Sequence, residues 1–202
     1  MQQELEEIVL ASASPRRREL LASLGLRVVV IPSEIDEGDR PGYGPPALAR
    51  LHAGSKADAV AVRAPGRVII AADTVVELDG ESLGKPVDAV EARTMLSHLA
   101  GRDHLVHTAY TLIDGPTGRR RDGLTTTTVR FHPLTPDEIA AYVASGDPMD
   151  KAGAYGIQGP GAALVERIDG DFYSVMGLPL GEVNRTLREL GYRLPAHGDS
   201  SR

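Results

Sequence analysis

Two stretches constrain the fold most. Residues 104–114, HLVHTAYTLID, and 123–134, GLTTTTVRFHPL, are long and rich in β-branched residues. Only the turn-rich segment GPTGRRR and Asp122 separate them. Strands joined that closely pair antiparallel, because a parallel crossover needs a dozen or more residues, usually a helix. TVVELDGESLGKP adds a second hairpin, turning at Asp79-Gly80. The chain is therefore mixed α/β with long hairpins, and a regular doubly wound sheet does not fit it.

The other elements alternate around these hairpins. EIVLAS reads as a first strand, RVVVIPS as a second and RVIIAAD as a short buried one ending at Asp73. Helical patterns occupy ALARLHAGSKADAVAVR, flawed by Gly54, and DAVEARTMLSHLAG, closed by Gly101. TPDEIAAYVASG opens with a capping box, Thr135 to Glu138, with Pro136 at the first helical position. LVERID is a strand, DFYSVMGLPL an irregular connection and GEVNRTLREL a last helix. The segment from Arg40 to Pro46 reads as a loop. No repeat or strong linker divides the chain, so residues 8–191 are expected to form one domain and 195–202 a disordered tail.

Composition narrows the chemistry. Formal net charge is −6, which argues against a general nucleic-acid binder but permits a local cationic anion site. The absence of cysteine removes disulfides, thiolate metal sites and a cysteine nucleophile. The acidic N-terminus lacks the basic start of a signal peptide, and no apolar run reaches the ~18 residues of a membrane span. These features set the expectation of a cytoplasmic protein without a membrane partner.

The cationic cluster sits in SASPRRRELL. Ser14 is a good N-cap and Pro15 suits the first helical position. Arginines in a first turn oppose the helix dipole, but a phosphate held by the free N–H groups would explain them. Taken alone, the run is equally a solvated basic turn. Arg18 points away from Arg16 and Arg17 by helical geometry and reads as surface.

Four more features carry chemistry. Asp73-Thr74 puts a carboxylate at the expected end of a buried strand, where it can hold a cation or position water, or simply cap a loop. Glu34, Asp36 and Glu37 crowd one acidic loop that could supply a second metal ligand. Lys56 and Lys85 are single cations, Lys85 framed by glycine and proline in LGKP. In DKAGAYGIQG the glycines allow close backbone approach, and Gln158 can hydrogen-bond a base edge. There is no P-loop and no GxSxG or HExxH motif, and His104 and His107 read as structural.

Together LASASPRRRELL, SEIDE, AADTVV, LGKP, DKAGAYGIQG and GDFYSVMGLPL resemble the Maf family of nucleoside triphosphate pyrophosphatases, in order from about Ile8 to Leu190. The resemblance implies an elongated mixed β-sheet flanked by helices, two lobes and a central cleft, as in the related ITPase-like fold. It implies cleavage between the α and β phosphates of a nucleotide, a divalent cation such as Mg²⁺ or Mn²⁺, and a homodimer. DKAGAYGIQG resembles the branch acting on dTTP and UTP, and on modified pyrimidine nucleotides, rather than the branch acting on 7-methyl-GTP.

By the same resemblance Asp73 is the proton acceptor and a metal ligand, with Asp36 where the family has an acidic residue. Arg16, Thr74 and Gln158 match base-selecting positions. Ser14, Arg17, Lys56 and Lys85 match the lining of the triphosphate site. Around Lys56 the chain reads LHAGSKA where the family reads closer to LAxxKA, so His52 and Gly54 depart from the pattern. An unperturbed aspartate is a weak base, which favours metal-assisted activation of water. A nucleotide-binding regulator of septum formation that does not need to hydrolyse, and a nucleotidyltransferase, stay open as alternatives.

Overall fold

The computed structural model describes residues 2–35, 38 and 40–195. Asp36 and the expected tail from Ala196 onward lie outside the described residues. The chain begins with strands β1 (Gln3–Glu4) and β2 (Glu7–Leu10), helix α1 (Pro15–Ala22), strand β3 (Arg27–Val30) and helix α2 (Pro45–Ala61). It continues with strands β4 (Val68–Leu78) and β5 (Glu81–Leu83), helix α3 (Ala89–Leu99), and strands β6 (Asp103–Asp114) and β7 (Arg119–Phe131). Helix α4 (Pro136–Ala144), strand β8 (Val165–Asp169), helices α5 (Phe172–Met176) and α6 (Leu180–Glu189), and strand β9 (Tyr192–Arg193) complete it. Short 3₁₀ turns fill the glycine-rich stretch between α4 and β8. None of the described helices is long and apolar enough to cross a membrane.

The expected mixed sheet flanked by helices forms. Seven strands run in the order β3-β2-β4-β6-β7-β8, with β5 beside β4. β2 pairs parallel to β3 and β4, whereas β4, β6, β7 and β8 pair antiparallel. The hairpin at Asp79-Gly80 turns as the sequence suggests, with φ of 53° and 88° at its two central residues. The β6–β7 register runs on to Asp114 opposite Arg119, so Arg119–Arg121 belong to the strand and not to the connection. β1 and β9 form a small parallel pair that the sequence pattern did not reveal.

Three boundaries differ from the sequence reading. RVIIAAD and the strand after it are one strand, because β6 pairs with β4 from Val68 through Glu77. Asp73 thus lies inside β4, not at its end. Helix α2 already starts at Pro45. FYSVM forms a short helix because the Asp171 side chain accepts from Ser174 N, and Gly177, at φ 117°, stops it.

What β4 lacks matters more than its length. On the edge away from β6, β2 pairs only at Val9–Ile69 and Leu10–Ile70, and β5 begins only at Val76–Leu83. The backbone between these two partners faces no described strand on that edge. The chain leaving β2 enters α1 there, and the chain leaving β5 carries Lys85 there. A gap between two strands of one edge, flanked by their outgoing loops, is a natural ligand crevice.

The period-two alternation of β4 separates its faces. Ile69, Ala71 and Val75 pack under α2, whose Ala49, Ala53 and Ala57 are fully buried and let the helix lie close to the sheet. Ile70 and Ala72 point the other way into a cluster with α1 and α6. Val76 joins a second cluster on that face with α3 and α4. The two clusters sit at opposite ends of the sheet. Between them lies a polar band of Thr74, Thr108, Thr127 and Ser174, joined by hydrogen bonds of 2.7–2.9 Å.

Two glycines are explained by space. A Cβ on Gly54 would meet the Arg120 guanidinium at 2.7 Å, and that guanidinium reaches over α2 to Asp58. A Cβ on Gly123 would fall onto the Tyr110 ring, whose hydroxyl holds Thr186 of α6 at 2.8 Å. Gly123→Ala is therefore expected to cost about 1–3 kcal/mol by displacing that ring. Urea denaturation measures it, and an unchanged midpoint would show that the ring shifts freely.

Candidate active site

The site is built at the gap in β4. Ser14 caps α1, its hydroxyl accepting from Arg17 N at 3.4 Å. This fixes the N-terminal turn beside the crevice. Arg17 folds back and donates from Nε to the Gly177 carbonyl at 2.9 Å, from Nη1 to Ser12 at 3.3 Å and from Nη2 to Thr74 at 3.2 Å. One guanidinium thereby joins α1, β4 and the turn after α5. Arg16 reaches across to Asp150 at 3.2 Å, a largely exposed pair of little energetic weight. Arg18 is exposed, as helical geometry suggested.

Asp73 faces α2. His52 and Lys56 are four residues apart, so they lie one above the other on the same helix face. Lys56 Nζ donates to Asp73 Oδ1 at 2.7 Å. His52 Nδ1 lies 3.2 Å from Oδ2. All three side chains are buried. Burial pushes the Asp73 carboxyl up, but the His52 contact and the charges of Lys56 and Arg17 outweigh it and hold the group below the ordinary aspartate value. The same contact raises His52 against its own desolvation. Asp73 is thus an ionised, doubly held carboxylate, weaker as a base than a free one.

Around it is a cavity of about 360 Å³. Ser14, Arg16 and Arg17 line it from α1, Lys56 from α2, Asp73 and Thr74 from β4, Lys85 from the loop after β5, and Gln158 from the glycine-rich segment. All the matched positions among the described residues therefore meet in one place. Lys151 and Asp150 line it too. Five cationic side chains face two carboxylates there, so the cavity is locally positive in a chain of formal charge −6. A polyanion of nucleotide size suits such a site. The wall opposite α2 is apolar, with Val76, Val106, Tyr155 and Met176.

A family model described as Maf-like protein matches residues 7–190. The chain belongs to this family. A dTTP/UTP pyrophosphatase from Geobacter sulfurreducens is 52% identical over 188 residues, covering 91% of this chain and 96% of that one. One from Geobacter metallireducens is 50% identical over 192 residues, with 93% and 98% covered. One from Symbiobacterium thermophilum is 47% identical over 188 residues, with 93% and 96% covered. A solved HAM1 protein from Coxiella burnetii aligns with 92% of this chain and all of that one, at a TM-score of 0.49 and 17% identity.

Within this Maf-like chain the sequence reading missed two things. His52, noted only as a departure, contacts Asp73. Lys151 lines the cavity while bonded to Asp147 at 3.1 Å and Asp150 at 2.7 Å. The i, i+4 spacing of His52 and Lys56 was the available signal for the first. For Lys151 it was only its place in DKAG. Thr74, matched to base selection, has its hydroxyl engaged by Arg17 and by Thr108 at 2.9 Å.

Proposed function

We propose that this Maf-like protein hydrolyses dTTP and UTP, and modified pyrimidine nucleotides of the same shape, to the monophosphate and pyrophosphate. The observation that carries the reading is the ionised Asp73 carboxylate set in a cavity of five cations, in a chain about half identical to relatives that bear this activity in their names.

In this reading water adds across the α–β anhydride. An oxygen–phosphorus bond forms, the bridging bond breaks, pyrophosphate leaves with the bridging oxygen, and the proton that the water sheds passes to solvent. Lys85, Lys151 and Arg17 offset charge on the departing pyrophosphate. Lys56, paired with Asp73, holds that carboxylate in place and adds positive charge beneath the phosphates. Asp73 orients the incoming water through its outward lone pairs. Gln158, exposed at the rim, offers both a donor and an acceptor to a pyrimidine edge.

Among the described residues, the donors present suit a divalent cation that draws most of its ligands from outside the protein. Among the described residues no group of three or more His, Cys, Asp or Glu could hold a metal ion. Asp73 contributes a single oxygen-donor carboxylate, which matches an ion that takes its other ligands from substrate phosphates and water, as Mg²⁺ commonly does. When bound, such an ion supplies further charge neutralisation at the phosphates.

The test is a substrate panel of dTTP, UTP, CTP and 7-methyl-GTP with Mg²⁺ or Mn²⁺. Pyrophosphate release from dTTP and UTP should exceed that from 7-methyl-GTP by at least about tenfold, the scale of one well-placed polar contact. Cleavage of the methylated purine alone would overturn the branch. Calorimetric binding with no pyrophosphate would point to the regulatory alternative.

A further inference from the structure

We propose that His52 is a positioning residue for the hydrolysis, setting the plane of the Asp73 carboxylate from the face of α2. The inference rests on the pyrophosphatase reading and adds a residue outside the matched family positions.

An aspartate's terminal torsion is broad and roughly two-fold, so one hydrogen bond leaves the plane free to turn about that contact. Lys56 on Oδ1 at 2.7 Å supplies one hold. His52 on Oδ2 at 3.2 Å supplies the second, from one helical turn away. With both oxygens tied on the α2 side, the remaining lone pairs have one orientation toward the cavity. The close approach that permits this comes from the alanines at 49, 53 and 57, each fully buried against the sheet.

The position of the ring supports the same role. His52 is 4% exposed and lines a second cavity of about 200 Å³ that shares Asp73, Thr74 and Lys85 with the first. The imidazole therefore stands behind the carboxylate, where it touches Asp73 but does not line the larger cavity. A residue so placed changes the aim of the carboxylate and leaves the triphosphate grip alone.

Three variants test this. His52→Leu keeps the bulk and removes the polar contact. His52→Asn places an amide nitrogen near the position of Nδ1, and His52→Gln places it one bond further out. With dTTP, Leu is expected to lower kcat by about 10–100-fold, the cost of a misaimed group, with KM within about twofold. Asn should recover to within about fivefold of the wild type, and Gln should recover less. Thermal melts of all three report folding. Should Leu fail to fold, the Asn–Gln comparison decides, and equal kcat in those two overturns the proposal. Wild-type kcat in Leu, or an Asn variant as impaired as Leu, also overturns it. A wild-type protein that releases no pyrophosphate sinks the functional reading itself, a result distinct from these.

Discussion

Asp73→Asn is expected to abolish most turnover while leaving the fold intact. The amide matches the carboxylate in size, and its oxygen can still accept from Lys56 at the 2.7 Å position. It carries no charge, however, and offers the incoming water one acceptor oxygen where the carboxylate has two. Removing a positioned acid–base or charge-bearing group of this kind lowers kcat by about 10²–10⁴-fold. The melting temperature should fall by about 5–15 °C, because buried Lys56 loses its counter-charge, while the hydrophobic clusters on both faces of β4 keep the fold. Pyrophosphate release from dTTP and circular-dichroism melting measure the two effects. Turnover within about twofold of the wild type, with the same metal dependence, would remove Asp73 from the chemistry.

Acid is expected to destabilise the protein through His104. This ring is 3% exposed and packs edge-on against Phe131 and Tyr155, with centroids 5.0 and 5.3 Å away. Nε2 meets the Tyr155 hydroxyl at 2.8 Å, but Nδ1 has no hydrogen-bond partner among the described residues. Protonation would require a buried N–H there with no acceptor. Burial accordingly pushes His104 down to about 4, against a smaller opposing pull from Asp103. The folded state then takes up this proton only near pH 4, whereas the unfolded chain takes it up near ~6.5. Between those values the unfolded state binds more protons, so stability falls as pH falls, by about 3 kcal/mol across the window. His104→Gln keeps an amide near the Tyr155 hydroxyl and removes the titration. Urea midpoints at pH 7 and pH 4.5 should therefore converge in the variant relative to the wild type. Equal losses in both proteins would rule His104 out as the acid-sensitive group.

Much of the site was legible because its residues sit at local features. Ser14 and Pro15 mark a helix start by capping chemistry, and Arg16 and Arg17 follow in the first turn. Asp79-Gly80 marks a tight turn, and Lys85 follows the strand that leaves it. The His52–Asp73 contact was not legible in the same way, since it joins residues 21 apart through the docking of α2 on β4. The extent of β4 was missed for a related reason. A polar Asp73-Thr74 step looks like a strand end when read alone, but ten residues of β6 pair straight through it.

By itself the amino-acid order determined the elements that depend on neighbouring residues: caps, turns, the β6–β7 hairpin and the two faces of each strand. These follow from backbone sterics and side-chain period, which act over a few positions. Only the tertiary structure decided that β2 and β5 share one edge of β4 and leave a gap, and that α2 lies close enough for His52 and Lys56 to hold Asp73 together. Those outcomes depend on sheet order and helix docking, where side chains far apart in the chain must pack at once. The charge state of the site follows from the same packing, since Asp73 is kept ionised by three groups from two other helices.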